Sequence, residues 1–127
     1  MPKTKTAQPR SRDERLAAAR NIWIATVRPD GRPHLVPVWF VWTGVNLYAC
    51  ISPDSVKGRN LTANPNVSLA LEDGTRPLIC EGQARLVEPP WPEEVVRLFA
   101  EKYDWQIASD DTYSALVEVT PRKWLAW

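Results

Sequence analysis

The chain has 127 residues, 44% of them hydrophobic, and its 16 Lys and Arg residues against 15 Asp and Glu leave a formal net charge of +1. This length predicts one domain with a real core, and the nearly balanced charge argues against nucleic acid or an anionic membrane as partner. No apolar run approaches the roughly 20 residues of a membrane span. The N-terminus lacks the apolar segment of a signal peptide, so the expected location is the cytoplasm.

The elements predicted along the chain are mostly strands. Residues 1–12 are basic and poor in apolar side chains, which predicts a mobile basic tail before a single domain at residues 13–127. Asp13 is the expected cap of a helix from Glu14 to about Arg20. The later predicted elements are strands at 22–27, 33–42 and 47–51, a short helix between 52 and 64, strands at 66–71 and 77–87, a helix at 93–103, a strand at 113–120 and a terminal segment at 124–127. Short strands with few helices are typical of an antiparallel barrel.

Glycine and proline mark special points in these strands. Gly31 lies in a turn signal, Pro29-Asp-Gly-Arg, where it is free to take a positive φ. Pro37 cannot donate to a sheet, so it predicts an edge, a bulge or the approach of a ligand. Gly82 predicts a bulge or a close backbone contact. Beyond Leu35 the strand at 33–42 is apolar on both faces, so both faces are expected to be covered.

The side chains that usually carry catalysis or bind metals are few. His34 is the one histidine, and its place on an apolar strand favours a strand-end residue over a catalyst. Cys50 and Cys80 fall in apolar runs and are expected to be free core thiols, so no zinc or haem site is predicted. No Walker loop, GxGxxG sequence or nucleophile elbow occurs. A barrel without an evident protein catalyst favours a cofactor that carries the chemistry.

The stretch from Ser52 to Asn66 indicates an anion site. Ser52, Asp54 or Ser55 can cap a helix that follows a strand directly, and a capped helix start offers free N–H groups and the positive end of the dipole. Lys57 and Arg59 add positive charge beside it. The alternative is that these two side chains form an ordinary solvated face. On the first interpretation, a phosphorylated molecule binds here.

Three motifs together resemble a known superfamily. They are Arg28-Pro-Asp-Gly-Arg-Pro-His-Leu-Val-Pro-Val-Trp-Phe40, Ser55-Val-Lys-Gly-Arg-Asn-Leu61 and Asn64-Pro-Asn-Val-Ser-Leu69. In this order and spacing they resemble the pyridoxamine 5'-phosphate oxidase-like superfamily of flavin and deazaflavin oxidoreductases, particularly its short F-420-dependent members. The resemblance implies a mainly β (α+β) fold, a six-stranded antiparallel FMN-binding split β-barrel with a few flanking helices. It also implies a homodimer with two equivalent cofactor sites at the interface.

The resemblance also implies positions for cofactor binding. These are Val36, Pro37, Val38 and Trp39 along the isoalloxazine ring, Ile51, Ser52, Ser55, Lys57, Arg59 and Asn60 at the phosphate and ribityl chain, and Gln83, Arg122 and Trp124 reaching the ring from the other subunit. Most tryptophans are expected to be core or interface anchors. Residues that face the substrate are expected in the 104–112 loop and the termini.

The function that the resemblance implies is hydride transfer between FMN and a small organic substrate. F-420 is the alternative cofactor, and Lys3, Lys5, Arg10 and Arg12 match its anionic polyglutamate tail. A flavin-binding protein without turnover is a further alternative. Val56 stands where the true pyridoxamine phosphate oxidases have an arginine, and their substrate-binding C-terminal segment has no match. Oxidation of vitamin B6 is therefore not the expected activity.

Overall fold

A computed structural model of the chain describes residues 10–127. Residues 1–9 of the predicted tail, with Lys3 and Lys5, lie outside the described residues. The described elements are α1 (Arg12–Ala18), β1 (Ile22–Val27), β2 (Pro33–Val38), β3 (Val41–Trp42), β4 (Leu47–Ile51), α2 (Val56–Ala63), β5 (Asn66–Leu71), β6 (Leu78–Val87), α3 (Glu93–Tyr103) and β7 (Ala115–Ala126), with a 3-10 turn at Ile107–Ser109. None of these helices has the length and apolarity needed to cross a membrane.

One antiparallel sheet contains all seven strands, in the order β2-β1-β5-β6-β7-β4-β3. Its two edge strands, β2 and β3, are consecutive in the chain and are separated only by Trp39 and Phe40. Three Cα–Cα steps span at most about 11 Å, so the end of β2 and the start of β3 must lie close together. The sheet therefore curls into a barrel that is split at this link, which confirms the predicted split β-barrel of the α+β class.

The predicted continuous strand at 33–42 is wrong, and the sheet has seven strands rather than six. The reason is the backbone of Phe40, which bonds to α3 instead of to a neighbouring strand. Its N–H donates to the Tyr103 hydroxyl at 3.0 Å, and its carbonyl accepts from the Lys102 ammonium group at 3.0 Å. These partners lie more than 60 residues away in the sequence, so no local sequence pattern indicated that the strand ends at Val38. Pro37 lies on an edge strand, one of the predicted alternatives.

The first helix begins earlier than predicted. Ser11, not Asp13, is its cap: the Ser11 hydroxyl accepts from the Glu14 N–H at 3.1 Å, and the Glu14 carboxylate accepts from the Ser11 N–H at 2.9 Å. This reciprocal pair is a capping box, which satisfies two free amides at once. Asp13 instead accepts a hydrogen bond from the Trp42 indole at 2.8 Å and ties α1 to β3.

The C-terminal strand is a single element rather than two segments. β6 and β7 pair along ten positions, but Gly82 lies opposite Pro121 and Glu81 opposite Lys123, so Arg122 is an extra residue in β7. A Cβ on Gly82 would lie 2.5 Å from the Thr120 carbonyl oxygen. The predicted bulge and close contact at Gly82 are thus confirmed, and the bulge accommodates Pro121, which cannot donate to the ladder.

The core has two layers separated by the sheet. The barrel interior is filled mainly by aliphatic side chains, whereas α3 packs Val95, Phe99 and Tyr103 against the outer face of the sheet. β4 is buried on both faces for this reason. Cys50 and Cys80 are buried free thiols, as predicted, and burial raises their pKa values to about 12 and about 11. The expected cover over both faces of the strand beyond Leu35 is incomplete in the described chain, because Pro37 is exposed and Trp39 is 44% exposed.

We expect Gly82→Ala to lower the free energy of unfolding by about 1–3 kcal/mol, because the added methyl group collides with the Thr120 carbonyl of β7. Gly74→Ala is the matched control, since no atom lies within 4 Å of its added Cβ. Urea denaturation of both variants measures the difference. Equal midpoints for the two variants would contradict the close contact between β6 and β7.

Candidate functional site

An open cleft of about 640 Å³ lies between the end of β2, the start of α2 and the loop that follows α3. Its volume is in the range of small-molecule sites, about 300–1,000 Å³. Four residues that the sequence singled out line it: Pro37, Val38, Trp39 and Lys57. The structure thus brings the predicted ring-side strand and the predicted phosphate-side lysine to one cleft.

Helix α2 starts in a tight, hydrogen-bonded turn. Ser55 is its cap: the hydroxyl accepts from the Gly58 N–H at 3.1 Å and donates to the Ser52 carbonyl at 2.7 Å. A Cβ on Gly58 would lie 2.9 Å from the Pro53 carbonyl oxygen, so this turn fits closely over the first helical residues. Ser52 and Ser55 therefore shape the helix start that carries Lys57 into the cleft.

Lys57 is a half-buried cation. Burial lowers the pKa of its ammonium group below the ordinary value of a lysine. No carboxylate oxygen of residues 10–127 lies within 4.0 Å of this group. A positive charge that is partly desolvated and lacks an anionic neighbour is well placed to bind a phosphate.

The other positions predicted beside Lys57 have different surroundings. Asn60 is 2% exposed, and its amide donates to the Thr26 hydroxyl at 3.0 Å, which fastens α2 to β1. Arg59 is exposed, and its guanidinium group donates to the Asp54 carbonyl at the start of its own helix. Ile51 lies in the barrel core, and Val36 packs against that core. Their assignments to the cofactor stay predictions.

Gln83 and Trp124 lie away from this cleft within the single chain. Gln83 lines a second groove of about 410 Å³ with Arg122, whose guanidinium group donates to the Gln83 side chain at 2.9 Å. The bulge in β7 directs Arg122 to this groove. Trp124 meets Trp42 edge to face at 5.7 Å, with the Arg12 guanidinium group 4.4 Å from its ring. A role for these residues at a cofactor requires a second subunit and stays a prediction.

The wall of the cleft is fixed by Tyr103. Its ring stacks on Trp39 with centroids 4.5 Å apart and planes 9° apart. Its hydroxyl accepts from the Phe40 N–H and lies 2.8 Å from the Arg20 carbonyl. The Arg20 guanidinium group sits 4.6 Å from the Tyr103 ring. Burial raises the pKa of the Tyr103 hydroxyl, so it stays a neutral donor.

Sequence reasoning chose none of the individual residues that form the remaining wall. These are Asn21, Cys50, Tyr103, Asp104, Trp105, Asp110 and Tyr113. Asp110 organises the loop: its carboxylate accepts from the Trp105 indole at 2.9 Å and from the backbone N–H of Tyr113 at 2.8 Å. These bonds, led by that of Tyr113, lower the pKa of Asp110. The available signal was two aromatic residues, Trp105 and Tyr113, in an otherwise polar loop that directly follows Tyr103 of α3.

The curled sheet, split at the link between β2 and β3, places this chain among the small split-barrel proteins. Its cleft lies between the edge strand β2 and the capped helix α2. The sequence profile described as pyridoxamine 5'-phosphate oxidase matches residues 10–127, so the chain belongs to that family. A search of curated proteins gave no significant match.

Solved structures give the same fold. An F420 reductase is 26% identical, with a TM-score of 0.71 over 92% of this chain and 98% of that one. A conserved hypothetical protein from Mycobacterium tuberculosis is also 26% identical, with a TM-score of 0.71 over 99% and 89% of the two chains. The heme storage protein HutZ from Vibrio cholerae has a TM-score of 0.75 at 24% identity, over 89% of each chain, a likeness that shows the fold alone.

We expect Tyr103→Phe to reduce the free energy of unfolding by about 1–3 kcal/mol, because it leaves the buried Phe40 N–H without a partner. Tyr113→Phe is the control, since that side chain is 47% exposed and the loss of its hydroxyl should change stability by less than about 0.5 kcal/mol. Chemical denaturation measures both. A Tyr103 variant as stable as the control would show that the barrel link does not depend on this hydroxyl.

Proposed function

We propose that this protein is an oxidoreductase that binds FMN in the cleft and transfers hydride to or from a small organic substrate. The observation that carries the proposal is Lys57, a half-buried cation without a carboxylate partner in the described residues, at the capped start of α2 and beside the predicted ring-side strand. Family membership supports it, because the profile covers the whole described chain.

The residues present fit a phosphate-bearing cofactor. Lys57 would hold the phosphate, and Pro37 to Trp39 would lie along the ring. Trp39 is stacked on Tyr103 in the wall, which favours a ring face open to a substrate over a capped storage site. Hydride transfer is the chemistry that a flavin or deazaflavin supplies when bound. The protein contributes position, a cation at the phosphate and a wall of aromatic side chains.

A homodimer is part of the proposal. Gln83 and Arg122 form a hydrogen-bonded pair on a groove that lies outside the Lys57 cleft of their own chain. In the proposed two-fold assembly the same pair from each subunit would reach the cleft of the other, so that two equivalent sites would form together. The exposed side chain of Leu35 on β2 would then be covered by the partner.

The free edge of β2 favours F-420 as a second candidate. The Arg28 N–H donates to the Arg32 carbonyl at 2.9 Å, which fixes the alternation of hydrogen-bonded pairs along β1 and β2. Residues 33, 35 and 37 consequently turn their backbone groups away from β1. Two of them are prolines, so this edge has a single N–H, that of Leu35. Of its three carbonyls, that of Pro33 already accepts from the Arg28 guanidinium group at 2.9 Å.

This edge has a consequence for the choice of cofactor. N5 of an oxidised flavin is a hydrogen-bond acceptor, whereas the carbon that replaces it in a deazaflavin accepts nothing. A ring-side strand without an N–H at Pro37 therefore disfavours FMN more than F-420. The likeness to an F420 reductase at 26% identity supports the same candidate.

We expect Lys57→Ala to weaken cofactor binding by about 1.5–3 kcal/mol, roughly 10- to 150-fold, because a charge-assisted contact to the phosphate is lost. The test is fluorescence titration of the apoprotein with FMN and, separately, with F-420. Arg97→Ala, which removes an exposed positive charge on α3, is the control and should bind as the parent does. Unchanged affinity in the Lys57 variant would refute the phosphate site, and binding of neither cofactor would refute the proposed function.

We expect Pro37→Ala to improve FMN binding relative to F-420 by roughly fivefold, because it restores one N–H worth about 1 kcal/mol at the ring-side edge. Pro33→Ala restores an N–H on the same edge but outside the cleft, so it should leave the FMN to F-420 ratio unchanged. The same titrations measure both ratios. An equal change in the two variants would show that the edge at Pro37 does not face the ring.

A further inference from the structure

One ring nitrogen of His34 lacks a hydrogen-bond partner on the side of the sheet that faces helix α2. It lies on β2 opposite Thr26, whose hydroxyl accepts from Asn60 of α2 at 3.0 Å, so its side chain is on the side of the sheet that α2 covers. The Nδ1 atom of His34 is buried and has no hydrogen-bond partner among the described residues. A buried polar atom without a partner is costly, and native proteins seldom keep one without a reason.

The charges around His34 are all positive. Arg28 on the hairpin and Lys57 on α2 both act on its ring. The Arg28 guanidinium group is held at the hairpin by the Pro33 carbonyl at 2.9 Å. In the described part of the chain, no carboxylate oxygen lies within 4.0 Å of His34. Lys57 precedes Asn60 by one turn on α2, and Asn60 bonds to Thr26, the residue opposite His34. Basic side chains of the hairpin, β2 and α2 are thus gathered on this side of the sheet.

This environment keeps the free imidazole neutral. Burial, followed by the charges of Arg28 and Lys57, lowers the pKa of His34 below its ordinary value. A dianion placed among the three groups would raise the pKa of His34. It would offset the charges of Arg28 and Lys57, and it would accept a hydrogen bond from the protonated ring. The site thus has the composition of a phosphate site whose third ligand is charged only when the phosphate is present.

We propose that His34 binds the same phosphate as Lys57 and takes up one proton from solvent when that phosphate binds. The proposal rests on the proposed function for the identity of the cofactor, but the anion site itself does not need the ring. It makes His34 a binding residue that couples cofactor affinity to pH. The alternative, a structural histidine that contacts no ligand, predicts no such coupling.

The sign of the coupling follows from linkage. Binding takes up a proton between the lower pKa of free His34 and its higher pKa in the complex, so affinity falls by up to tenfold per pH unit across that window as the pH rises. The second ionisation of a phosphate ester, near pH 6, acts in the opposite direction. Burial lowers the pKa of Lys57, so the loss of its proton as the pH rises weakens phosphate binding in the same direction as His34 does.

The decisive experiment uses the fact that His34 is the only histidine of the chain. In tag-free protein its ring C–H resonance is unambiguous, so an NMR titration gives its pKa in the apoprotein, with inorganic phosphate and with FMN. We expect the pKa to rise by about one unit or more with either ligand. A rise with phosphate while neither FMN nor F-420 binds would support His34 and refute the proposed function. The His34 proposal would be overturned if the pKa of His34 did not rise when FMN is bound. It would also be overturned if the protein bound neither phosphate nor FMN.

A second variant tests the coupling by affinity. His34→Gln keeps a polar side chain but cannot take up a proton. The parent should lose FMN affinity, by up to tenfold per pH unit, as the pH rises from the lowered pKa of free His34 to its higher pKa in the complex. His34→Gln should lack this loss, so that the second ionisation of the phosphate, which raises affinity, becomes visible over the same range. Thermal unfolding verifies that the variant is folded. A profile as steep in the variant as in the parent would assign the pH dependence to another group and contradict the proposal.

Discussion

The link between β2 and β3 is the constraint on which the rest of the structure depends. Two residues, Trp39 and Phe40, join the opposite edges of a seven-stranded sheet, so the sheet has to curl until its edges meet. Phe40 leaves the sheet at this point, and its backbone groups would be buried without partners if α3 did not supply them. Tyr103 and Lys102 bond to its N–H and its carbonyl. The end of α3 is thus part of the closure of the barrel.

The same link shapes the cleft. Because Phe40 is fastened to α3, the neighbouring Trp39 ring is held against Tyr103, where it forms a wall beside Lys57. The loop after α3 completes this wall, and Asp110 fixes that loop through Trp105 and the backbone of Tyr113. Closure of the barrel and formation of the site therefore use one set of contacts. Because the same contacts serve both purposes, the wall of the cleft is held as firmly as the link of the barrel.

The second feature of this region is the concentration of basic side chains around Lys57 and His34. Lys57 and His34 are partly desolvated, and the pKa of each is lowered chiefly by burial. A partly buried charge on Lys57 without a carboxylate partner costs the free protein some stability, because its desolvation is not offset. In the proposed site a bound dianion would remove that cost, and the core of the barrel provides the stability that offsets it in the free protein.

Much of this protein was determined by the sequence alone. Periodicity and turn residues identified β1, β4, β5 and α3, because these depend on neighbours within a few positions. For the same reason the sequence identified Ser55 as one of three candidate caps of α2 and placed Lys57 in the first turns of that helix. Only tertiary structure decided the break at Trp39, the bulge residue Arg122, the role of Asn60 in fastening α2 and the aromatic wall of the cleft. Each of these depends on partners 30 or more residues away, and the partners are chosen by the curl of the sheet.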